Sequence, residues 1–118
     1  MKTIEEFEKA RKTGKELREL GINGTMYWAY ITTKKTGNTT IDFNEVIWDK
    51  DIEPIVNTCR QYDVKYITIS CGMSSLVQTL SMFQNLGCQI GGITQVKAPY
   101  KNIDTDEFAI IPAIIVRM

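Results

Sequence analysis

The side chains best suited to chemistry in this 118-residue chain are the carboxylates of a short acidic stretch, residues 42–53. Paired carboxylates can bind a hard cation or act as general acid and base, but the spacing here does not match an EF-hand loop. Helix capping and solubility account for most of these side chains. The alternative is a surface that imitates nucleic-acid phosphate or docks in a basic protein groove. Lys50 is the only basic residue in the stretch, whose acidic members are Asp42, Glu45, Asp49, Asp51 and Glu53.

A second acidic segment and two tryptophans complete the candidate binding residues. Asp104, Asp106 and Glu107 form a small acidic turn near the end of the chain. Trp28 and Trp48 are expected in the core, but Trp48 lies beside the acidic stretch, and an aromatic side chain flanked by charge can anchor an interface. The predicted partner-binding surface therefore consists of Trp48, Asp49, Asp51 and Glu53, with Asp104 and Asp106 as a second part.

The absence of histidine removes several classes of chemistry. No Ser-His-Asp or Cys-His pair can form, and no imidazole can serve as a base or a metal ligand. Cys59, Cys71 and Cys88 include no CxxC motif, so they make a poor zinc site unless all three join one carboxylate. Glycines 87, 91 and 92 match no nucleotide-binding loop. We therefore predict a protein without covalent catalysis, a required metal or a cofactor.

Composition and charge are those of an ordinary globular domain. Apolar residues make up 43% of the chain, and 14 basic residues balance 14 acidic ones. No net charge favours nucleic acid or acidic lipid as a direct partner. No apolar run approaches the roughly 20 residues that a membrane span needs, and the first residues lack the apolar core of a secretory signal. An odd number of widely spaced cysteines fits a reducing compartment, so we expect a cytoplasmic protein.

The clearest structural pattern is a strand, a helix and a second strand between residues 65 and 96. Residues 65–71 alternate in type as a half-buried strand does. Ser75 and Gln78 form a potential capping box, and Gly87 lies where a left-handed residue would end the helix. Gly91-Gly92 permits a bulge in the strand that follows. The apolar side chains expected to face the core from this helix are Leu76, Val77, Leu80 and Phe83.

The segments before this unit are predicted as a helix, a hairpin and another helix. Residues 3–20 have a capping box and an amphipathic pattern. Residues 25–33 are rich in aromatic and β-branched side chains on both faces, which favours a central strand. Thr36-Gly37-Asn38 would turn this strand into a return strand over 39–43. The next helix would be capped by Asp49 or Asp51, carry Pro54 in its first turn and end at Asp63.

The segments after this unit are predicted as two strands joined by a polar turn. Residues 93–100 and 108–118 form the strands, and Pro99 and Pro112 place each of them at a sheet edge or a bulge. The predicted order is αββαβαββ. The fold class is therefore α/β (α+β): a single domain over residues 1–118, with a mainly antiparallel sheet of about five strands and helices packed on it.

The passage from Leu80 to Ile90 resembles the helix-to-strand passage near the end of GNAT acetyltransferases. In that family a helix with an aromatic residue runs through Leu-Gly into a strand, as Phe83, Leu86 and Gly87 do here. The glycine-rich pyrophosphate loop of the family is absent from this chain, so coenzyme A binding is not carried over. The resemblance implies, as an alternative function, a degenerate acetyltransferase-like module that binds a small molecule.

A second likeness spans most of the chain and rests on residues 3–7, 13–14, 41–48, 74–76, 79–80 and 111–114. On these residues the chain resembles an uncharacterised family of small proteins from mobile elements and phages of Gram-positive gut bacteria. Small accessory proteins of such elements often block host defences, so the resemblance implies an inhibitor of anti-CRISPR type, with a CRISPR effector nuclease as its protein partner. A structural or regulatory partner of the element's own machinery is the other alternative.

Overall fold

A computed structural model of the protein describes residues 23–118. The helix predicted over residues 3–20 lies outside this part of the chain. The described residues form three helices and four strands. In chain order these are α1 (Gly24–Thr36), β1 (Asp42–Phe43), α2 (Asp49–Gln61), β2 (Tyr66–Ile69), α3 (Leu76–Asn85), β3 (Gln89–Lys101) and β4 (Phe108–Arg117).

The four described strands form one mixed sheet in the order β1-β2-β4-β3. β1 runs parallel to β2, with Asp42 opposite Thr68, whereas β4 is antiparallel to both of its neighbours. The parallel pair follows from the connection, because helix α2 carries the chain back to the same end of the sheet. The α+β class is confirmed. The described sheet has four strands instead of about five, and it is less uniformly antiparallel than predicted.

The strand predicted over residues 25–33 is wrong, because this segment is helix α1. Met26, Tyr30 and Thr33 are buried and recur at the spacing of one helix face. The Asn23 side chain accepts a hydrogen bond from the Met26 N–H at 3.1 Å and caps the helix. The strand propensity of these residues contributes less to the free energy of folding than the burial of this helix face against β1 and β3, which α1 contacts.

The hairpin predicted at Thr36-Gly37-Asn38 is also wrong. Gly37 has φ of 80° and ends α1, and its N–H donates to the Thr33 carbonyl at 3.0 Å. A left-handed glycine serves a helix end as well as a hairpin turn. The predicted return strand over 39–43 shrinks to β1, whose two residues pair with β2 and not with the preceding segment.

Helix α2 is confirmed, but its first turn differs from the prediction. Neither Asp49 nor Asp51 is the cap: Trp48 holds the N-cap position and makes no side-chain capping bond. Since the helix begins at Asp49, Pro54 lies in its second turn and not in its first. The missing proline N–H leaves the carbonyl of Lys50 without a helical partner, and Lys50 is exposed to water.

Helix α3 ends as predicted at Gly87, which has φ of 89°. The Gly87 and Cys88 N–H groups donate to the carbonyls of Gln84 and Phe83, as in a Schellman motif. Ser75 is the N-cap, but it makes no side-chain capping bond, so the capping box does not form. Val77 was predicted to face the core and is exposed.

Strand β3 contains the predicted bulge between Ile90 and Ile93. A side chain at Gly91 would lie 3.0 Å from Ile115 Cβ on β4, so the glycine permits this close approach. Pro99 is in β3, which is an edge strand as predicted.

Pro112, in contrast, lies in β4 between β2 and β3, whereas an edge position or a bulge was predicted. The register explains why it is tolerated. The last pair between β2 and β4 joins Ile69 and Ile114, so β2 ends before Pro112. Within the described sheet β4 is locally an edge on that side, and no described strand needs the missing N–H.

The core lies between the helices and strand β2. Its centre is aliphatic and aromatic, and each helix contributes to it. The largest fully buried apolar side chains are those of Met26, Ile47, Ile52, Ile55, Val56, Ile67, Phe83 and Val116.

Candidate functional site: a groove walled by two tryptophans

A groove of about 460 Å³ opens where α1, β1 and the start of α2 meet. Trp28 of α1 and Trp48, directly before α2, both line it, and Pro99 of β3 lies along it. Its buried lining residues include Asp42 and Phe43 of β1. We call this feature the tryptophan groove. The lining mixes apolar and polar residues, and the volume is within the range typical of ligand-binding sites.

Both tryptophans are exposed, which contradicts the core position expected for Trp28, whereas the exposure of Trp48 agrees with the alternative, a position on the surface beside the acidic stretch. Trp28 is 67% exposed and Trp48 63%. Trp28 lies on the side of α1 opposite Met26 and Tyr30, because two residues along a helix correspond to about 200° of rotation. Val46 is also exposed and lines the groove, as do Glu45 and Trp48 on either side of it in the sequence. Large apolar side chains that share one exposed concave surface indicate an interaction site.

Asp42 is a buried acidic residue in the lining of the groove. Its Oδ1 accepts a hydrogen bond from the Thr68 hydroxyl at 2.7 Å, and its Oδ2 accepts one from the Ser70 hydroxyl at 2.6 Å. The Asn44 side chain donates to Ser70 Oγ at 2.9 Å and extends the network. Burial raises the pKa of Asp42, and the two hydroxyl bonds oppose that increase. Among residues 23–118, no basic side chain forms an ion pair with Asp42.

The structure divides the predicted surface around Trp48 between separate places. Trp48 lines the groove, and Asp51 lies beside it, where the carboxylate accepts a 3.2 Å hydrogen bond from the Thr25 hydroxyl. Asp49, exposed at the first residue of α2, lines a neighbouring hollow with Trp48. Asp49 also lines a hollow between α2 and α3, and Glu53 lies on that hollow with it and not on the groove. Asp49 and Asp51 lie in the first turn of α2, where negative charge stabilises a helix.

Asp104 and Asp106 lie outside the tryptophan groove. Both are exposed in the turn between β3 and β4. Asp106 has a left-handed backbone with φ of 55°, and its carboxylate is 4.0 Å from the Lys101 ammonium. A role of this turn in partner binding stays a prediction.

Sequence reasoning missed Trp28 and Asp42 as residues of the site. For Trp28 the signal in the sequence was Asn23-Gly24 before it and Gly37 after it, which together mark the two ends of a helix. The sequence placed Asp42 in the acidic stretch, but no local pattern distinguishes a buried carboxylate from a solvated one.

The cysteines contribute no metal site in the part of the chain that the structure describes. No group of three or more Cys, Asp or Glu side chains there could hold a metal ion. Cys59 and Cys88 are buried, whereas Cys71 is partly exposed. Burial raises the pKa of the Cys59 thiol to about 12. The helices within residues 23–118 are too short or too polar to cross a membrane.

Comparison with known proteins places the chain in a family. No curated protein and no solved structure matches it significantly. One family model, described as a domain of unknown function, matches residues 25–118, which include nearly all of the described fold and the whole tryptophan groove. The chain therefore belongs to the DUF7698 family of domains of unknown function.

Proposed function

We propose that this chain is a protein-binding module that acts by covering a surface of its partner, and that the tryptophan groove is its binding site. The observation that supports this most directly is the pair Trp28 and Trp48, each about two-thirds exposed on one groove. Tryptophan is enriched among the residues that contribute most to binding energy at interfaces. It also combines a large apolar area with an indole N–H that can pair with a partner.

The narrower form of the proposal is an inhibitor of a host defence complex, with a CRISPR effector nuclease as the partner and a mobile element as the source. Its support is the likeness described above and the exposed carboxylates of Glu45 and Asp49 near the groove. Such carboxylates can meet the lysines and arginines of a cleft that normally holds nucleic acid. An inhibitor of this kind needs no catalytic group.

The acetyltransferase-like alternative has less support in this fold. It requires a V-shaped cleft between the strands on either side of α3, which are β2 and β3. Strand β4 lies between these two strands and pairs with both. The sheet is therefore closed where the acyl cofactor would enter.

The test combines capture of a partner with a plasmid-interference assay in a bacterial host. Tagged wild-type protein should retain a partner from host lysate, and the double variant Trp28→Ala/Trp48→Ala should lose it. Ile103→Ala is the matched control, because Ile103 is an exposed apolar residue in the β3–β4 turn. Circular dichroism should show the same fold for all three proteins. Capture that is unchanged in the double variant would overturn the proposal.

The interference assay tests the narrower form of the proposal, an inhibitor of a host defence complex. Loss of interference when the wild-type protein is present, and its recovery with the double variant, would support a defence inhibitor. If interference is unchanged and the captured protein belongs to the element itself, the chain is a regulatory or structural partner and the inhibitor hypothesis is wrong.

A further inference from the structure

We propose that the tryptophan groove receives a basic side chain of the partner protein, a lysine or an arginine, between the indole rings and the carboxylates of Asp42 and Glu45. This inference rests on the proposed function, since it specifies which chemistry of a protein partner the groove recognises.

The charge of the groove is the first observation in favour. Among residues 23–118, its lining contains two acidic residues, Asp42 and Glu45, and no lysine or arginine. Asp42 is only 4% exposed, and in the described part of the chain hydroxyl groups are its side-chain partners, with no cation beside it. A buried carboxylate without a counter-charge is costly, and a cation brought by a ligand would remove part of that cost. The lining therefore complements a positive charge.

The aromatic walls are the second observation, and they do not depend on the carboxylates. The face of an indole attracts an ammonium or guanidinium group more strongly than other aromatic side chains do. The chain has two tryptophans, and both line this groove. The stem of a lysine or arginine is apolar, so it can lie against Phe43 and Val46 while the charged end reaches the carboxylates.

The surface around the groove favours a protein partner over a free amine. Trp48 and Val46 also line a second hollow of about 470 Å³ that extends past Ile47 to Ser75 and Gln78. This continuous surface is longer than one side chain requires. It offers contacts to the residues that flank a basic side chain in a polypeptide.

Blocked peptides that differ in one side chain test this inference. The series places lysine, arginine, norleucine or glutamate between two glycines, and the indole fluorescence or the indole N–H signals report binding. Because both tryptophans line the groove, either signal reports on this site. We expect the lysine and arginine peptides to bind about tenfold more tightly than the norleucine peptide, and the difference to shrink as salt rises.

Variants assign the effect to the two carboxylates. Glu45→Gln and Asp42→Asn should each reduce the preference for lysine over norleucine. Asp63→Asn is the matched control: this carboxylate lies beyond α2 beside Lys65, and its removal should leave the preference unchanged. If Asp42→Asn disturbs the fold, Glu45→Gln alone still decides the result, because Glu45 is exposed.

Four outcomes would overturn the inference. These are equal or tighter binding of the norleucine peptide, preference for the glutamate peptide, no detectable binding of any peptide, and binding of butylamine as tightly as the lysine peptide. In each case the proposed function is tested separately by capture of a partner that depends on Trp28 and Trp48. Capture without a preference for basic peptides keeps the protein-binding module and rejects its basic ligand.

Discussion

The side-chain amide of Asn38 pairs with the backbone of Lys97 as a neighbouring strand would. Asn38 Nδ2 donates to the Lys97 carbonyl and the Lys97 N–H donates to Asn38 Oδ1, both at 2.8 Å. The two residues are 59 positions apart, and the contact joins the segment after α1 to strand β3. It satisfies backbone groups at the edge of the sheet, which would otherwise be open to pairing with other chains.

Removal of this contact should destabilise the protein and loosen the edge of β3. Asn38→Ala removes both hydrogen bonds to Lys97 and a third, from Asn38 Nδ2 to the Thr36 hydroxyl at 2.9 Å, so we expect a loss of about 1–2 kcal/mol in the free energy of unfolding. The Lys97 amide should exchange faster with solvent, which NMR can measure. Thr39→Ala, at the exposed next residue, is the control and should change neither quantity. Unchanged exchange at Lys97 in Asn38→Ala would contradict the structural role of this pair.

The left-handed end of α1 predicts opposite effects for two glycine substitutions. Gly37 has φ of 80°, so Gly37→Ala should cost about 1 kcal/mol of stability. Gly24 begins the same helix, and a Cβ added there would meet no atom of another segment within 4 Å in the described part of the chain. Gly24→Ala should therefore be neutral or slightly stabilising. Urea denaturation measures both variants, and equal losses would argue against the helical end at Gly37.

The helical phase of α1 predicts different costs for two large side chains. Met26 is fully buried, and Met26→Ala should destabilise the protein by about 2–5 kcal/mol. Trp28 is 67% exposed, and Trp28→Ala should cost about 1 kcal/mol or less. Residues 26 and 28 would share one face of a strand, so comparable losses in thermal denaturation would support the strand predicted from the sequence and not the helix.

The buried carboxylate of Asp42 predicts a pH dependence of stability. Burial raises its pKa, so the folded protein binds this proton more tightly than the unfolded chain does. The resulting stability is fully present below the ordinary carboxyl pKa and is lost as pH rises through the folded value. Asn cannot take up this proton. The unfolding free energy of the wild type, relative to Asp42→Asn, should therefore increase as pH falls from neutral to about 4.

Parallel denaturation curves of the two proteins over this pH range provide the measurement. Asp104→Asn is the matched control, because it removes one carboxylate from an exposed turn. A constant difference between wild type and Asp42→Asn at all pH values would show that Asp42 is not desolvated by the fold.

The three cysteines should differ in their reaction with a thiol reagent. The Cys59 pKa is raised to about 12, so almost no thiolate is present at neutral pH, and the thiol is buried. Burial also raises the pKa of Cys88. Cys71 is partly exposed and should react first in the native protein. Mass spectrometry should show one modification before unfolding and three after it, and Cys71→Ser should remove the first.

The sequence by itself determined the elements whose local signals agree. In the unit from β2 to β3, alternating residues specify the strand, and Gly87 specifies the helix end because only glycine adopts its backbone angle without strain. Helix α2 was also readable, since Ile52, Ile55, Val56 and Cys59 recur at helical spacing. In these segments the residue propensities, the spacing of the apolar residues and the residues at the helix ends all favour the same structure.

Only the tertiary structure decided the form of residues 24–43. The aromatic and β-branched residues of this segment favour a strand, but as helix α1 it buries Met26, Tyr30 and Thr33 together. That gain depends on contacts with β1 and β3, and β3 lies far along the chain. Local propensity cannot report such contacts, and tertiary burial outweighs it.

The tertiary structure also determined which residues form the candidate site. Its acidic character and Trp48 are visible in the sequence, whereas the position of Trp28 beside them depends on the helical phase of α1. The burial of Asp42 depends on the pairing of β1 with β2, which brings Thr68 and Ser70 to its carboxylate. A residue's neighbours along the chain do not specify which side chains surround it in space, and these surroundings determine its exposure and its charge.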